Sequence, residues 1–292
     1  MPELPEVETL RRSLAPALVG RAIAGVEVRL PKLWRPAPGL GTADVVGAGV
    51  QAVRRRGKHL VLDLANGLSL VFHLRLSGQL VLSRGGETIV AGGHPVPAFG
   101  SPLPHRATHL IFDLDDGSRL YLTDIRQFGF CLLMPAAEVS VFLAERRLGP
   151  EPLGPELTPE AFLEILRRRR SARLKSLLLD QRAISGLGNI YADEALWVAR
   201  LHPLRAAGTL TAEEGGRLHQ AIGDVLDYAL THGVAEVLNG RAVAGRDFPR
   251  AHGREGSPCQ RCGKAIERIR VAGRSSYFCP SCQPAAPTPE GG

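Results

Sequence analysis

The chain has 292 residues, enough for two or three compact units, with 44% hydrophobic residues and a net charge of +7 from 36 Lys and Arg against 29 Asp and Glu. That composition excludes a disordered protein, and no apolar run approaches the roughly 18 residues that a membrane helix needs. The basic excess favours a polyanionic partner, and no basic start leads into an apolar signal core, so a cytoplasmic protein is expected.

The opening "MPELPEVETLRR" predicts a helix almost at once, with Leu4, Val7, Leu10, Leu14 and Leu18 on one face and prolines and acids suited to its first turn. Either Pro2 and its acidic neighbours merely start that helix, or residue 2 is a reagent. Next come short strand-like runs rich in Val, Ile, Leu and Phe, among them "HLVLDLA", "LSLVFHL", "THLIFDL", "SRLYLTD" and "FGFCLLM", bounded by turns such as "ANG" at 65–67 and "DDGS" at 115–118. Strand follows strand with little room for crossover helices, which predicts an antiparallel sandwich or barrel. Residues 84–104, dense in Gly and Pro, predict a mobile loop.

Two basic runs stand out in the chain, "RRRGKHL" at 54–60 and "RRRR" at 167–170. Lys58 follows Gly57 and precedes a strand, which suits an amine held at a site. Arg126 and Phe128 share a strand face, where either core packing or entry into a base stack is open.

The stretch "LGPEPLGPELTP" at 148–159 predicts a boundary, after which the chain turns helical, with Thr158 and Thr211 as N-caps. In "ISGLGNIYADE", Gly186 and Gly188 precede a helix that starts at Asn189. This is either a tight turn capped by Asn or a phosphate-binding helix start, and it lacks the pattern of a dinucleotide fold. Cys131 lies in an apolar run and is expected to be a buried, inert thiol.

Cys259-x2-Cys262, sixteen residues, then Cys279-x2-Cys282 has the spacing of a structural zinc site in which four thiolates hold one Zn2+. The intervening residues read as a hairpin turning at Ala272 and Gly273, with Arg274 near its tip.

Taken in order, "PELPEVET" at 2–9, "RRGKHL" at 55–60, "HLRLSG" at 73–78, "DIRQFG" at 124–129, "LGPEPL" at 148–153, "SGLGNIYADE" at 185–194, "HGREG" at 252–256 and the four cysteines resemble the formamidopyrimidine-DNA glycosylase family nearly end to end. Leu4 and Pro5 resemble its purine-acting branch. The resemblance implies an α+β multidomain fold: an N-terminal helix with an antiparallel β-sandwich, a helix-two-turn-helix domain and a β-hairpin zinc finger, with DNA in the cleft between. The expected domains are a catalytic unit at 1–150, a DNA-binding unit at 151–250, the zinc finger at 251–284 and a disordered tail at 285–292. The implied activity is excision of oxidised purines, 8-oxoguanine and formamidopyrimidines, followed by cleavage at the abasic site. One structural Zn2+, damaged double-stranded DNA as partner, a monomer and a nucleoid location complete the expectation.

By the same resemblance Pro2, freed by loss of Met1, is the nucleophile and Glu3 the general acid, with Glu6 holding the helix start in register. Lys58 and Arg274 bind phosphate and assist elimination, and Asn189 completes the backbone clamp. Leu76, Arg126 and Phe128 fill the void left by the flipped nucleotide, and Arg170 and Lys175 are further backbone contacts. The chain departs from the family pattern at Leu76, where methionine is usual, and at Arg75, Ile125 and Ala107. Its segment at 233–253 is shorter than the family's lesion-capping loop. These departures leave open a non-catalytic or narrowed binder of abasic or kinked DNA as the alternative.

Overall fold

The computed structural model describes residues 2–234, 237–238, 241–242 and 247–285. Contacts divide the chain into two compact units, Met1–Arg147 and Leu148–Gly292.

In the first unit, helix α1 (Leu4–Leu18) precedes the strands β1 (Ile23–Val28), β2 (Trp34–Pro36), β3 (Val50–Arg56), β4 (His59–Leu64), β5 (Leu68–His73), β6 (Gly78–Arg84), β7 (Glu87–Gly93), β8 (Thr108–Leu114), β9 (Ser118–Asp124) and β10 (Phe130–Pro135). They form two five-stranded sheets, ordered β1-β8-β9-β6-β7 and β2-β10-β5-β4-β3. Pairing is antiparallel except between β10 and β2. Leu60, Leu62, Leu70 and Phe72 of one sheet share a core with Leu80, Leu110, Phe112 and Leu122 of the other, so the sheets pack face to face as a sandwich. The apolar stripe of α1, Val7, Leu10, Leu14 and Leu18, closes that core.

Two elements escape the sequence pattern. The expected loop at 84–104 begins with strand β7, whose glycines hid it. A Cβ on Gly92 would stand 2.9 Å from Leu10 Cδ1, so this strand is glycine-rich because α1 lies directly on it. Helix α2 (Ala136–Glu145) covers Val61 and Val71 on the outer face of the second sheet through Val139 and Phe142. That cover explains why Leu60, Val61 and Leu62 on β4 are apolar in succession and not alternating. Cys131 is buried on β10, and burial pushes its thiol well above the ordinary value.

The second unit holds α3 (Pro159–Arg168), α4 (Leu174–Leu179), α5 (Asn189–Ala199) and α6 (Ala212–His232). Thr158 caps α3 by accepting the Ala161 N–H at 3.2 Å, and Thr211 with Glu214 forms a reciprocal cap on α6. Phe162, Leu174, Tyr191, Leu196, Leu218 and Leu226 make its core. The short strands β11 (Val237–Leu238) and β12 (Arg241–Ala242) pair before the cysteine module. There β13 (Glu267–Val271) and β14 (Arg274–Phe278) form the hairpin, with Ala272 and Gly273 both in the left-handed region and Arg274 exposed beside them. Residues 235–236, 239–240 and 243–246 of the segment expected to be a shortened capping loop, the residues of the expected tail from 286 on, and Met1 lie outside the described residues.

Candidate active site and zinc centre

The start of α1 is built from its acids. Glu3 occupies the N-cap position in extended conformation, 1% exposed, and its backbone N–H donates to Glu6 Oε2 at 2.8 Å. Glu6 thereby ties the segment that carries Pro2 and Glu3 to the first turn of α1. Pro5, in the first helical turn, has no N–H to leave unpaired there. Pro2 is itself buried.

Lys58 sits in the two-residue turn between β3 and β4, where Arg56 pairs with His59 and Gly57 takes φ 56°. Its side chain is largely enclosed. Arg55 ties this turn to α1: Nη1 donates to the Gly57 carbonyl at 2.9 Å and Nε to Glu8 Oε2 at 3.0 Å. Glu8 also accepts Arg11 and Arg12. Burial raises its carboxyl, and the three arginines outweigh that and hold it down at about 2. Sequence reading missed Glu8 and Arg55. The spacing of Glu8 to Arg11 and Arg12 is a local signal, but nothing in the sequence pairs Glu8 with a residue 47 positions on.

Leu76 and Phe128 stand out from the sandwich, 37% and 50% exposed, so Phe128 is no core residue. The Arg126 guanidinium lies 5.0 Å from the Phe128 ring centre. Their loop is held from beneath by Asp124, which is fully buried. Asp124 Oδ1 accepts Ser77 Oγ and the Arg126 N–H (3.1 Å), and Oδ2 accepts the N–H groups of Phe128 (2.8 Å) and Gly129 (2.7 Å). Ser77 follows Leu76 in the chain, so one carboxylate braces both loops. Ala107 supplies a carbonyl to the Asp124 N–H at 2.9 Å, a backbone role that any side chain permits.

In the second unit Asn189 does not cap α5. Gly188 is the N-cap, and Asn189 Nδ2 donates to the Ser275 carbonyl at 3.0 Å, next to Arg274 on β14. Its Oδ1 is buried with no partner among the described residues. Lys175, expected at a DNA backbone, is instead interior. It is 0% exposed, and its ammonium donates to the Asn189 carbonyl and to Asp193 Oδ1, each at 2.7 Å. Asp193 also accepts Ser276 Oγ at 2.6 Å and pairs with His252 Nδ1 at 2.7 Å, while Glu194 accepts the N–H groups of Arg250, Ala251 and His252. Burial raises the Asp193 carboxyl but Lys175 and His252 outweigh it, so it is held low. Asp193 and Glu194 lie in the quoted "ADE", yet the anchoring of the hairpin by Asp193 and of residues 250–252 by Glu194 leaves no mark on helical periodicity. Arg170, by contrast, is exposed beyond the end of α3.

The comparisons agree over almost the whole length. Residues 1–131 match the formamidopyrimidine-DNA glycosylase N-terminal domain, 148–238 its H2TH domain, and 256–285 the zinc finger found in FPG and IleRS. The chain belongs to the formamidopyrimidine-DNA glycosylase family. Curated glycosylases of this name from Pelotomaculum thermopropionicum and Chloroflexus aurantiacus are 45% and 44% identical to it, covering 97% and 99% of the chain and 99% and 100% of those proteins. A solved structure of the Lactococcus lactis enzyme with abasic-site DNA shares 31% identity and a TM-score of 0.84, covering 97% of the chain and 100% of that protein.

In this glycosylase the zinc finger fits its metal. The sulfurs of Cys259, Cys262, Cys279 and Cys282 lie within 4.8 Å of one another, with Cys262 and Cys279 3.5 Å apart, and none is in a disulfide. A tetrahedral Zn2+ with sulfurs at about 2.3 Å requires separations of about 3.8 Å, so small shifts suffice. The cluster is compatible with one structural zinc, which would hold the hairpin that carries Arg274. Among the described residues no helix is long and apolar enough to cross a membrane.

Proposed function

We propose that the chain is a bifunctional DNA glycosylase and abasic-site lyase acting on oxidised purines in duplex DNA, with Pro2 as nucleophile once Met1 is removed. The observation that carries this reading is the buried Glu3 carboxylate one residue after Pro2, on a backbone that Glu6 pins. A terminal amine has an ordinary pKa of about 7.7–8.0, so part of it is unprotonated at neutral pH, unlike lysine at about 10.4.

The nitrogen of Pro2 attacks C1′ of the lesion, and the damaged base leaves with the electrons of the glycosidic bond. Glu3 gives a proton to the sugar ring oxygen as the ring opens, leaving an iminium between Pro2 and C1′. The iminium draws electrons from C2′, so loss of a C2′ proton expels the 3′ phosphate, and a second elimination expels the 5′ phosphate. Lys58 and Arg274 bind the phosphates that leave and serve the proton transfers, and Asn189 shares the backbone clamp. Leu76, Arg126 and Phe128 occupy the space vacated by the flipped nucleotide, whose extrusion costs a few kcal/mol.

The solved relatives with Fapy-dG and abasic-site DNA support damaged DNA as the ligand. In this reading residues 1–150 are the catalytic domain, 151–250 the DNA-binding domain and 251–284 the zinc finger. The enzyme acts as a monomer in the cytoplasm at the nucleoid.

Borohydride trapping on abasic-site DNA tests the mechanism. A covalent adduct at the N-terminal peptide of Met1-processed protein, lost when the Pro2 nitrogen is blocked by acetylation, is the expected result. Absence of any adduct leaves only the alternative, a binder of damaged DNA without chemistry.

A further inference from the structure

Trp197, on α5, is buried, yet its indole N–H has no hydrogen-bond partner among the described residues. Its neighbour is a sulfur. Trp197 and Cys259 belong to one buried cluster with Cys279, Ile266 and Tyr277, and the Trp197 side chain favours the charged form of the Cys259 sulfur. A buried N–H is rarely left orphaned, and a metal-bound thiolate is a charged acceptor far better than a thiol.

The ring is held in this pose by the cysteine module. Arg261, between Cys259 and Cys262, lays its guanidinium 3.7 Å from the Trp197 ring centre and donates to the carbonyls of Trp197 (2.6 Å) and Val198 (3.2 Å). Both carbonyls lie in the last turn of α5, where that of Trp197 also accepts the Arg200 N–H at 3.2 Å. Gln283, just after Cys282, donates likewise to the Leu201 carbonyl at 2.9 Å. The other end of α5 grips the hairpin through Asn189 and Asp193.

We propose that Trp197 is a positioning residue of the zinc centre: its indole N–H donates to the metal-bound sulfur of Cys259, so that α5, and not the cysteine module alone, sets how tightly the ion is held. When bound, Zn2+ supplies the charge that keeps the four sulfurs as thiolates. Trp197 orients one of them and spreads part of its charge. Arg261, stacked on the ring, keeps it in place. Through this contact the ion's occupancy reports on the helix whose first residue is Asn189.

The test uses the zinc-loaded full-length protein and the substitution Trp197→Phe, which keeps a ring beneath Arg261 and removes the N–H. Transfer of zinc to 4-(2-pyridylazo)resorcinol is expected to be about 10-fold faster or more than in the wild type, as for other outer hydrogen bonds to metal ligands. An unchanged rate overturns the proposal. Since a loosened fold also speeds release, Co2+ is put in place of zinc and the sulfur-to-cobalt charge-transfer band is recorded. Loss of the N–H raises the energy of the sulfur electrons and moves the band to longer wavelength. A band at the wild-type position rejects the hydrogen bond even where release is faster.

Discussion

Asp124 Oδ2 accepts the backbone N–H of Phe128 at 2.8 Å, and through this bond a buried carboxylate holds up an aromatic side chain that is half exposed. With its bonds to Ser77, Arg126 and Gly129, Asp124 fixes a loop that has no other regular structure. In the proposed reading Phe128 is a wedge, and its rigid presentation lowers the cost of entering a base stack, because the ordering is done before DNA arrives.

Asp124→Asn turns an amide toward N–H groups that need an acceptor, at a cost of about 1–3 kcal/mol. Excision from a duplex carrying an oxidised purine is expected to fall about 10- to 100-fold. Cleavage of an abasic site, where no base has to leave the stack, falls by much less. Single-turnover rates on the two substrates check this, and equal losses on both would reject a role in wedging.

Glu8 links α1 to the turn that carries Lys58, by way of Arg55. Replacing it with Gln removes the charge facing three arginines, and a loss of about 2 kcal/mol in stability at pH 7 is expected. The sign follows from the low carboxyl of the folded state. Its stabilisation is complete above the ordinary carboxylate value of 4.5 and is lost as the pH falls through about 2. Urea melts between pH 7 and pH 2 therefore converge for the wild type and Glu8→Gln as acid is added. Abasic-site cleavage by the variant weakens with the loosened Lys58 turn.

His59, on β4, faces His73 edge-on with ring centres 4.6 Å apart, near Phe142. Burial, then Arg146 and Arg75, lower its pKa from 6.5 to about 4 against an opposing backbone bond at Arg56. The folded state thus keeps it neutral while the unfolded chain protonates it. Stability is full above pH 6.5 and declines as the pH falls towards 4, by about 3 kcal/mol for this one group. In His59→Gln the slope of stability against pH between 6.5 and 4 is expected to flatten, and an unaltered slope in urea melts would contradict the assignment.

Lys175 and Arg170 are both basic and close in sequence, and their effects on DNA binding are expected to differ in kind. Arg170→Ala lowers the slope of log affinity against log salt by about one counterion, as an exposed phosphate contact does. Lys175→Met strands the buried Asp193 and costs about 3–5 kcal/mol of stability, with the salt slope unchanged where the variant remains folded. Titrations at several salt concentrations, with thermal melts alongside, separate the two.

By itself the sequence determined the order of the units, the zinc ligands, the two threonine caps and the hairpin tip at Arg274, because each rests on spacing or turn chemistry within a short window. It also singled out Lys58 through its place after a glycine turn, and Glu3 through the family resemblance. Only the tertiary structure decided that Lys175 is interior, that Phe128 projects, that Asn189 bonds to the hairpin instead of capping its helix, and that β7 is a strand. Burial and hydrogen-bond partners arise from segments brought together across tens of residues, as Glu8 meets Arg55 and Asn189 meets Ser275. Periodicity along the chain records which face of an element is apolar, and the identity of what packs against that face is a property of the folded molecule alone.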